Sequence, residues 1–409
     1  MFRTQPIDTL DQAGNWTGSF RFEPFLGKWF FADSSNAARL LLLESNTVPK
    51  EISDLGIPDA NAPIAGAYTA PIKIQIQINS NCNYHCPICY AVSEKGISKN
   101  EEMSLSELES LFAFLKKWGV IRVNFVGGEV FMRRDFTDII NAAHQRRLLT
   151  SCITNARIPG ASIDRFQNLL TSLWNVQVSC NGVGKSYEEE YQTDSWERAR
   201  ECIRNVILKT RRNILSYVIT QRNVSDIPEF LAFADECQPT VVKFGTVCWS
   251  GRSAESAALQ YYQMVLPQAK LLIESGRLKY SKLEIQSQID LGGNTPLWEE
   301  FINGYRPFEF YFAPEGRDGL YIQSSGDIYP FPLLSDRKEF CLGNIRRDSL
   351  VKIWRESDVL KRIRDVSFQN SDCGRLGCKR VCGLWGRSYA ISWSGRFDGK
   401  VPCEFTGWK

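Results

Sequence analysis

"NCNYHCPICY", residues 81–90, spaces Cys82, Cys86 and Cys89 as Cys-x3-Cys-x2-Cys directly after the apolar run "IKIQIQI" at 72–78. Three thiolates are one donor short of a four-ligand site. A zinc ion would need another ligand, and His85, lying inside the triplet, is poorly spaced to supply it. Two alternatives stand beside zinc: three unrelated loop cysteines, or a centre with one position reserved for a ligand that is not protein.

Outward from this loop the pattern is regular. Strand-like runs at 72–78, 120–126, 148–154, 174–180, 214–220 and 239–247 alternate with helix-like stretches at 104–118, 134–147, 162–173, 194–212 and 226–237. Ser104 opens the first helix with the Ser-x-x-Glu spacing of a capping box. Six such alternations predict an α/β fold with a parallel sheet, open or curled into a partial (β/α)6 TIM-like barrel, and active groups at the C-terminal strand ends. The cysteine loop lies at one of those ends.

The flanks differ in character. Residues 1–70 hold short β-like runs, "GSFRFEPF" and "GKWFFAD", and run into the Pro/Gly/Ala-rich stretch "GIPDANAPIAGAYTAP", which reads as a linker. Residues 71–255 are the barrel core, 256–310 a helical bridge with its helix at 259–276, and 311–409 a cysteine-rich α+β domain of short strands and Gly turns.

Composition narrows the chemistry. Of 409 residues 43% are hydrophobic, enough for a full-sized core. The 49 basic and 46 acidic residues are interspersed, which gives no electrostatic footprint for nucleic acid. The start "MFRTQPIDTLDQAGNW" lacks a signal-peptide pattern, and "LLLL" at 40–43 is too short to span a bilayer, so a cytoplasmic protein with no membrane partner is expected. There thirteen cysteines stay reduced, and clusters of them bind metal or do redox work. With only two histidines, His85 and His144, a histidine-rich metal centre is disfavoured and a hydrolase triad is short of bases.

The Cys-x3-Cys-x2-Cys loop after the first strand of a β/α partial barrel resembles the radical S-adenosylmethionine (radical SAM, AdoMet) superfamily. The resemblance implies a 4Fe-4S cluster on Cys82, Cys86 and Cys89, with the fourth iron chelated by the methionine moiety of AdoMet. In that family an electron from the reduced cluster cleaves the sulfonium, and a 5′-deoxyadenosyl radical abstracts an unactivated hydrogen. "VNFVGGEVF" resembles the family's Gly-Gly-Glu-Pro motif with Val130 in place of proline, so Gly127, Gly128 and Glu129 are implied to hold the AdoMet amino group. "CITNAR" and "VQVSCNG" end the third and fourth strands and resemble stretches that place polar groups near the ribose or methionine carboxylate. That role falls to Thr154, Asn155, Ser179 and Asn181, whose residue types also serve simply to stabilise turns. Ile88 stands where the family usually has an aromatic, which leaves Tyr90 as the nearby substitute against adenine. Arg252, in "VKFGTVCWSGR", either borders the ligand or makes a surface salt bridge, and the salt bridge is the simpler reading.

From Gly326 onward the chain resembles the SPASM or twitch extensions of these enzymes. Phe331 replaces the usual cysteine after proline, and no cysteine lies between Cys248 and Cys341, so one auxiliary cluster is implied rather than two. Cys373, Cys378, Cys382 and Cys403 make a complete four-thiolate set for an auxiliary 4Fe-4S cluster, and equally for a structural zinc. Cys341 is left over as a buried small hydrophobe, a ligand of an irregular cluster, or a hydrogen-atom donor. Cys152, Cys180, Cys202, Cys237 and Cys248 lie on strand or helix patterns and are expected in the core.

Enzymes with such extensions are often maturases of ribosomally made peptides. The resemblance therefore implies hydrogen abstraction from a precursor peptide, giving a crosslink or an L-to-D epimerisation, with electrons from a flavodoxin- or ferredoxin-like donor. A dehydrogenase or rearrangement enzyme for a sugar or nucleotide is the alternative, and a non-enzymatic iron–sulfur or zinc scaffold the third.

Overall fold

The computed structural model describes residues 7–10, 16–23, 28–33, 70–71, 73–93, 102–158, 166–193, 195–253, 264–280, 285–287, 316, 319–366, 370–375 and 387–399. Near the N-terminus β1 (Ile7–Leu10), β2 (Trp16–Glu23) and β3 (Lys28–Asp33) form an antiparallel sheet in the order β1-β2-β3. β2 and β3 fall on the two β-like runs; β1 was not foreseen. Most of the linker lies outside the described residues.

The next six strands are β4 (Lys73–Gln77), β5 (Arg122–Val126), β6 (Leu149–Thr154), β7 (Asn175–Ser179), β8 (Asn213–Ile219) and β9 (Val241–Thr246). They pair in parallel and in sequence order, each within a few residues of its expected place. The sheet continues past both ends. On one side β10 (Ile285–Ser287) adds in parallel to β9. On the other, β11 (Gly319–Ile322) pairs in parallel with β4, and β12 (Asp327–Tyr329) and β13 (Gly343–Asn344) follow antiparallel. Among the described residues the result is an open ten-stranded sheet and not a closed barrel.

The helices of the alternating region are α1 (Leu105–Trp118), α2 (Phe136–Gln145), α3 (Gln167–Ser172), α4 (Gly184–Tyr191), α5 (Trp196–Lys209) and α6 (Ile227–Cys237). They are followed by α7 (Leu266–Lys279) and, in the C-terminal module, α8 (Leu350–Glu356), α9 (Asp358–Asp365), α10 (Asp372–Arg375) and α11 (Arg387–Ser394). Helix α4 was missed. Its sequence "GKSYEEEY" is polar, starts on glycine and offers only Tyr187 and Tyr191, one turn apart, as an apolar stripe.

Strand alternation explains the layering. Ile74, Ile76, Val123, Phe125, Cys152, Val176, Val178, Leu215, Tyr217, Val242 and Phe244 are fully buried on one sheet face, beneath helix residues such as Phe112, Ile140, Ile203 and Phe230. Each large apolar side chain so buried contributes about 1.5–3 kcal/mol. The opposite face is polar. There Ser151 Oγ donates to Asn124 Oδ1 at 2.9 Å, and Asn124 Nδ2 to Gln75 Oε1 at 3.4 Å, along register-matched positions of three strands. Cys152, Cys180 and Cys237 are core residues as expected, whereas Cys202 and Cys248 are only half-buried. No described helix is long and apolar enough to cross a membrane.

The capping box forms: Glu107 N–H donates to Ser104 Oγ at 3.3 Å and Ser104 N–H to Glu107 Oε2 at 2.8 Å. Glu107 also accepts from Arg346 Nε at 2.6 Å, tying α1 to the C-terminal module. This hydrogen bond, before any other cause, lowers the Glu107 carboxyl to about 2. The folded-state value lies below the unfolded one, so the link stabilises the fold above the ordinary carboxylate range and is lost as pH falls toward 2. Because both side chains are more than a third exposed, screening holds the contribution to about 0.5–1 kcal/mol. Glu107→Gln should therefore lower the melting temperature slightly at pH 7 and flatten its fall between pH 5 and pH 3, measured by circular dichroism melts.

Candidate active site

The cysteine loop is held by a continuation of the β4–β5 ladder beyond the strands. Ile78 N–H donates to Val126 O at 2.8 Å, Gly128 N–H to Asn79 O at 3.0 Å, and Glu129 N–H to Asn81 O at 2.9 Å. These rungs lay Gly127-Gly128-Glu129 alongside the start of the loop. A Cβ on Gly128 would strike the Asn81 backbone and the Cys82 side chain, and one on Gly127 would strike the Asn79 side chain. The glycines are needed for this close approach of two backbones.

Cys82 is buried, and Cys86 and Cys89 are partly exposed. Burial pushes the Cys82 thiol up to about 12, with smaller contributions from Glu129 and Cys89. Cys86 is raised by burial and then by the charges of Cys89 and Cys82. Three neighbouring soft donors suit an iron–sulfur cluster, whose binding replaces the thiol protons, and at Cys82 and Cys86 it overcomes the resistance to ionisation that burial imposes. Among the described residues no three His, Cys, Asp or Glu side chains converge on a single metal ion. A cubane asks for something else, because each thiolate ligates its own iron around a cage.

Glu129 sits at the centre of the surrounding network. Its carboxylate is buried and accepts from Phe131 N–H at 3.1 Å and Thr154 Oγ1 at 2.7 Å on one oxygen, and from Asn155 N–H at 2.7 Å on the other. Burial nevertheless outweighs these donors and raises the carboxyl to about 7. Thr154 also accepts from Ala156 N–H, while Asn155 Nδ2 donates to Asn83 Oδ1 at 2.8 Å and its Oδ1 accepts from Arg157 N–H at 2.9 Å. The side chains of Thr154 and Asn155 are thus committed to holding Glu129 and the cysteine loop. Asn83 closes the circuit by donating to Arg157 O at 2.7 Å. Asn79 leaves its Oδ1 buried without a partner at the glycine pair.

The other expected residues are placed as follows. Asn181 Oδ1 accepts from Val218 N–H at 2.8 Å, linking the ends of β7 and β8. Ser179 is half-buried at the end of β7. Tyr90 turns its hydroxyl to Gln75 on the polar sheet face; burial raises its phenol, with Cys89 and Cys248 adding to the effect. Cys341 caps the turn Lys338–Phe340, with its thiol 3.6 Å from Gly343 O and Tyr329 beside it. Cys373 lies on α10, which is tied down by Arg375, Asp372, Arg396 and Asp398. Cys378, Cys382 and Cys403 lie outside the described residues.

Several residues at the site gave no sequence signal. Tyr84 shares a hydrogen bond with Tyr187 (3.1 Å) and packs on Tyr191 at 5.0 Å, so the unforeseen helix α4 supports the cysteine loop from below. Glu190 on the same helix is buried, bonded to Thr220 and to Arg222 Nε at 2.9 Å. Arg252, which the sequence placed either beside the ligand or in a surface salt bridge, donates to Cys86 O at 3.2 Å and Ser93 O at 2.7 Å.

Comparison with known proteins agrees with this arrangement. A profile for the Radical SAM superfamily matches residues 76–234, and one for SPASM, an iron–sulfur cluster-binding domain, matches residues 314–379. PqqA peptide cyclase of Xanthomonas axonopodis pv. citri (strain 306) is 23% identical over 338 residues, which cover 80% of this chain and 85% of the relative. That of Rhizobium meliloti (strain 1021) is 23% identical over 317 residues, covering 76% and 80%. Streptococcus suis SuiB bound to S-adenosylmethionine superposes with a TM-score of 0.66 at 16% identity over 98% of both chains. Native anSMEcpe with bound AdoMet gives 0.61 at 17%, over 82% of this chain and 95% of its own.

Residues 76–234 form a radical SAM domain, and residues 314–379 a SPASM iron–sulfur cluster-binding domain. The chain is an enzyme whose cofactors are AdoMet and 4Fe-4S clusters.

The two glycines differ in tolerance. Gly128→Ala meets backbone that cannot move without tearing the ladder, whereas Gly127→Ala meets a side chain, although one pinned by Asn79 Nδ2 donating to Glu129 O at 2.9 Å. Gly128→Ala should lose most of its cluster iron after anaerobic reconstitution and destabilise the fold by about 2–4 kcal/mol, with Gly127→Ala milder on both counts. Iron per chain and urea melts measure this.

Proposed function

We propose that this enzyme matures a ribosomally synthesised precursor peptide by abstracting hydrogen from one of its residues, with crosslink formation ranked ahead of L-to-D epimerisation. One combination carries the reading: a single chain joins the Cys82/Cys86/Cys89 loop to a SPASM module, and two relatives that match at least three quarters of its length are PqqA peptide cyclases. Streptococcus suis SuiB, similar over 98% of this chain, has been solved bound to precursor peptide SuiA.

Two features of the chain support a peptide. The inner sheet face presents amide and hydroxyl groups from Gln75, Asn124 and Ser151, and it also carries Lys243, which burial first and then Lys73 lower to about 8. Such a lining can hydrogen-bond an extended backbone. Among the described residues β1 and β3 each pair along one edge only, leaving backbone groups that an added strand could use.

Within the site each residue has a task. Cys82, Cys86 and Cys89 hold a cluster, which together with AdoMet supplies one-electron chemistry able to remove an unactivated hydrogen atom. Gly127 and Gly128 let backbone approach AdoMet. Glu129, with Thr154 and Asn155, fixes the height of that backbone above the sheet. Ser179 and Asn181 Nδ2 offer polar contacts at the rim, and Tyr90 supplies an aromatic wall on the side of Cys89. Cys373, Cys378, Cys382 and Cys403 hold one auxiliary 4Fe-4S cluster, for which the one-electron oxidation ending a crosslink provides a use. Epimerisation needs instead a hydrogen atom returned from the opposite face, the task open to Cys341. Reducing equivalents come from an external flavodoxin- or ferredoxin-like donor.

The reconstituted, reduced protein should release 5′-deoxyadenosine from AdoMet, and Cys82→Ala, Cys86→Ala and Cys89→Ala should each reduce this to background. When the enzyme turns over a precursor peptide, mass spectrometry should show a product lighter by two hydrogens. A product of unchanged mass and altered retention assigns epimerisation instead. Absence of 5′-deoxyadenosine in every preparation would remove the radical mechanism, and turnover of a sugar or nucleotide with the peptide untouched would move the assignment to a small metabolite.

A further inference from the structure

Beyond the thiol ligands, the cysteine loop is gripped from a segment far along the chain. After β9 the backbone turns through Trp249, Ser250, Gly251 and Arg252. Gly251, in the left-handed region at φ +67°, lies so close to the loop that a Cβ there would strike the carbonyl oxygens of Cys89 and Tyr90. Arg252 N–H donates to Cys89 O at 3.1 Å, and its guanidinium donates to Cys86 O and Ser93 O. Three loop carbonyls, two of them belonging to cluster cysteines, thus end on one residue.

The grip is itself anchored in the C-terminal module. Gly251 N–H donates to Asp336 Oδ2 at 2.9 Å, and Trp249 packs edge-on against Trp393 of α11 at 4.9 Å. A second contact lies at the base of the loop, where Ser324 Oγ is 3.2 Å from Ser80 Oγ and Ser324 O accepts from Met103 N–H at 2.8 Å. Asp336 is an exposed residue, and its carboxylate is used by a backbone N–H of the barrel.

We propose that Gly251, Arg252 and Asp336 form a clasp by which the C-terminal module holds the cluster-binding loop, with Arg252 as its positioning residue. The planar guanidinium fork fixes two carbonyls at a set spacing, which a flexible ammonium cannot do. Its charge lies beside the backbone of Cys86 and favours the extra electron of a reduced cluster, so the clasp sets the potential of that centre as well as its position. The inference rests on the radical SAM assignment of the loop and concerns what holds it.

The test uses the full-length reconstituted protein and two readouts that do not depend on AdoMet cleavage, so they stand whether or not 5′-deoxyadenosine forms. In Arg252→Met, hydrogen–deuterium exchange at residues 84–93 should quicken by about tenfold, the scale of losing one or two hydrogen bonds, with β5 to β8 unchanged. The midpoint potential of the radical cluster, followed by electron paramagnetic resonance, should become more negative. Arg252→Lys should restore the potential in large part but not the exchange protection. Asp336→Ala, a surface change that leaves the core intact, should quicken exchange at 84–93 and 249–252 with Arg252 still present. If Arg252→Met keeps wild-type exchange and potential, or quickens exchange across the whole sheet, Arg252 is no positioning residue. If Asp336→Ala leaves residues 84–93 unchanged, the C-terminal module does not hold the loop.

Discussion

A carboxylate cut off from water has to be met by donors, and at Glu129 that requirement organises the mouth of the sheet. Its side chain takes Thr154 and Asn155 from the end of β6, while its backbone takes Asn79 and Asn81 from the cysteine loop. Three strand ends therefore share one residue. Losing any donor would leave a buried charge under-solvated, at a cost of about 1–3 kcal/mol. The network is consequently tight, and the thiols inherit its rigidity.

The fold was legible because two physical signals agreed. Apolar positions of period two bury one face of each strand, and Gly or polar residues end each run, so six strands and most of their helices could be read directly. That Cys82, Cys86, Cys89, Gly127, Gly128 and Glu129 lie together beyond the first two strands of the parallel sheet was legible through their spacing. What could not be read was how polar groups would be shared among loops. Asn83 and Arg252 carry no periodicity, and their partners are backbone carbonyls, which every residue possesses. Thr154 and Asn155 were singled out as polar groups near the ligand or as turn stabilisers; their donation to Glu129 was not read.

The C-terminal module was less legible for a related reason. Its cysteines are visible in sequence, but its attachment to the barrel combines β11, aromatic contacts such as Trp118 on Trp354 and Trp249 on Trp393, and hydrogen bonds from Ser324, Asp336 and Arg346. Short strands such as Gly319–Ile322, buried on both faces, lack the alternation that reveals an amphipathic strand. Helix α4 escaped for the opposite reason, being largely polar with its two tyrosines turned inward.

The pairing of Lys73 with Gly319 joins residues 246 positions apart (319 − 73), in the strand that leads into the cysteine loop. During synthesis β4 keeps one edge open until β11 has left the ribosome, long after β5 can occupy the other. The loop that carries the three thiols thus hangs from a half-paired strand for most of translation. Until β11 is in place the free edge of β4 exposes unpaired backbone groups of the kind that other strands can pair with.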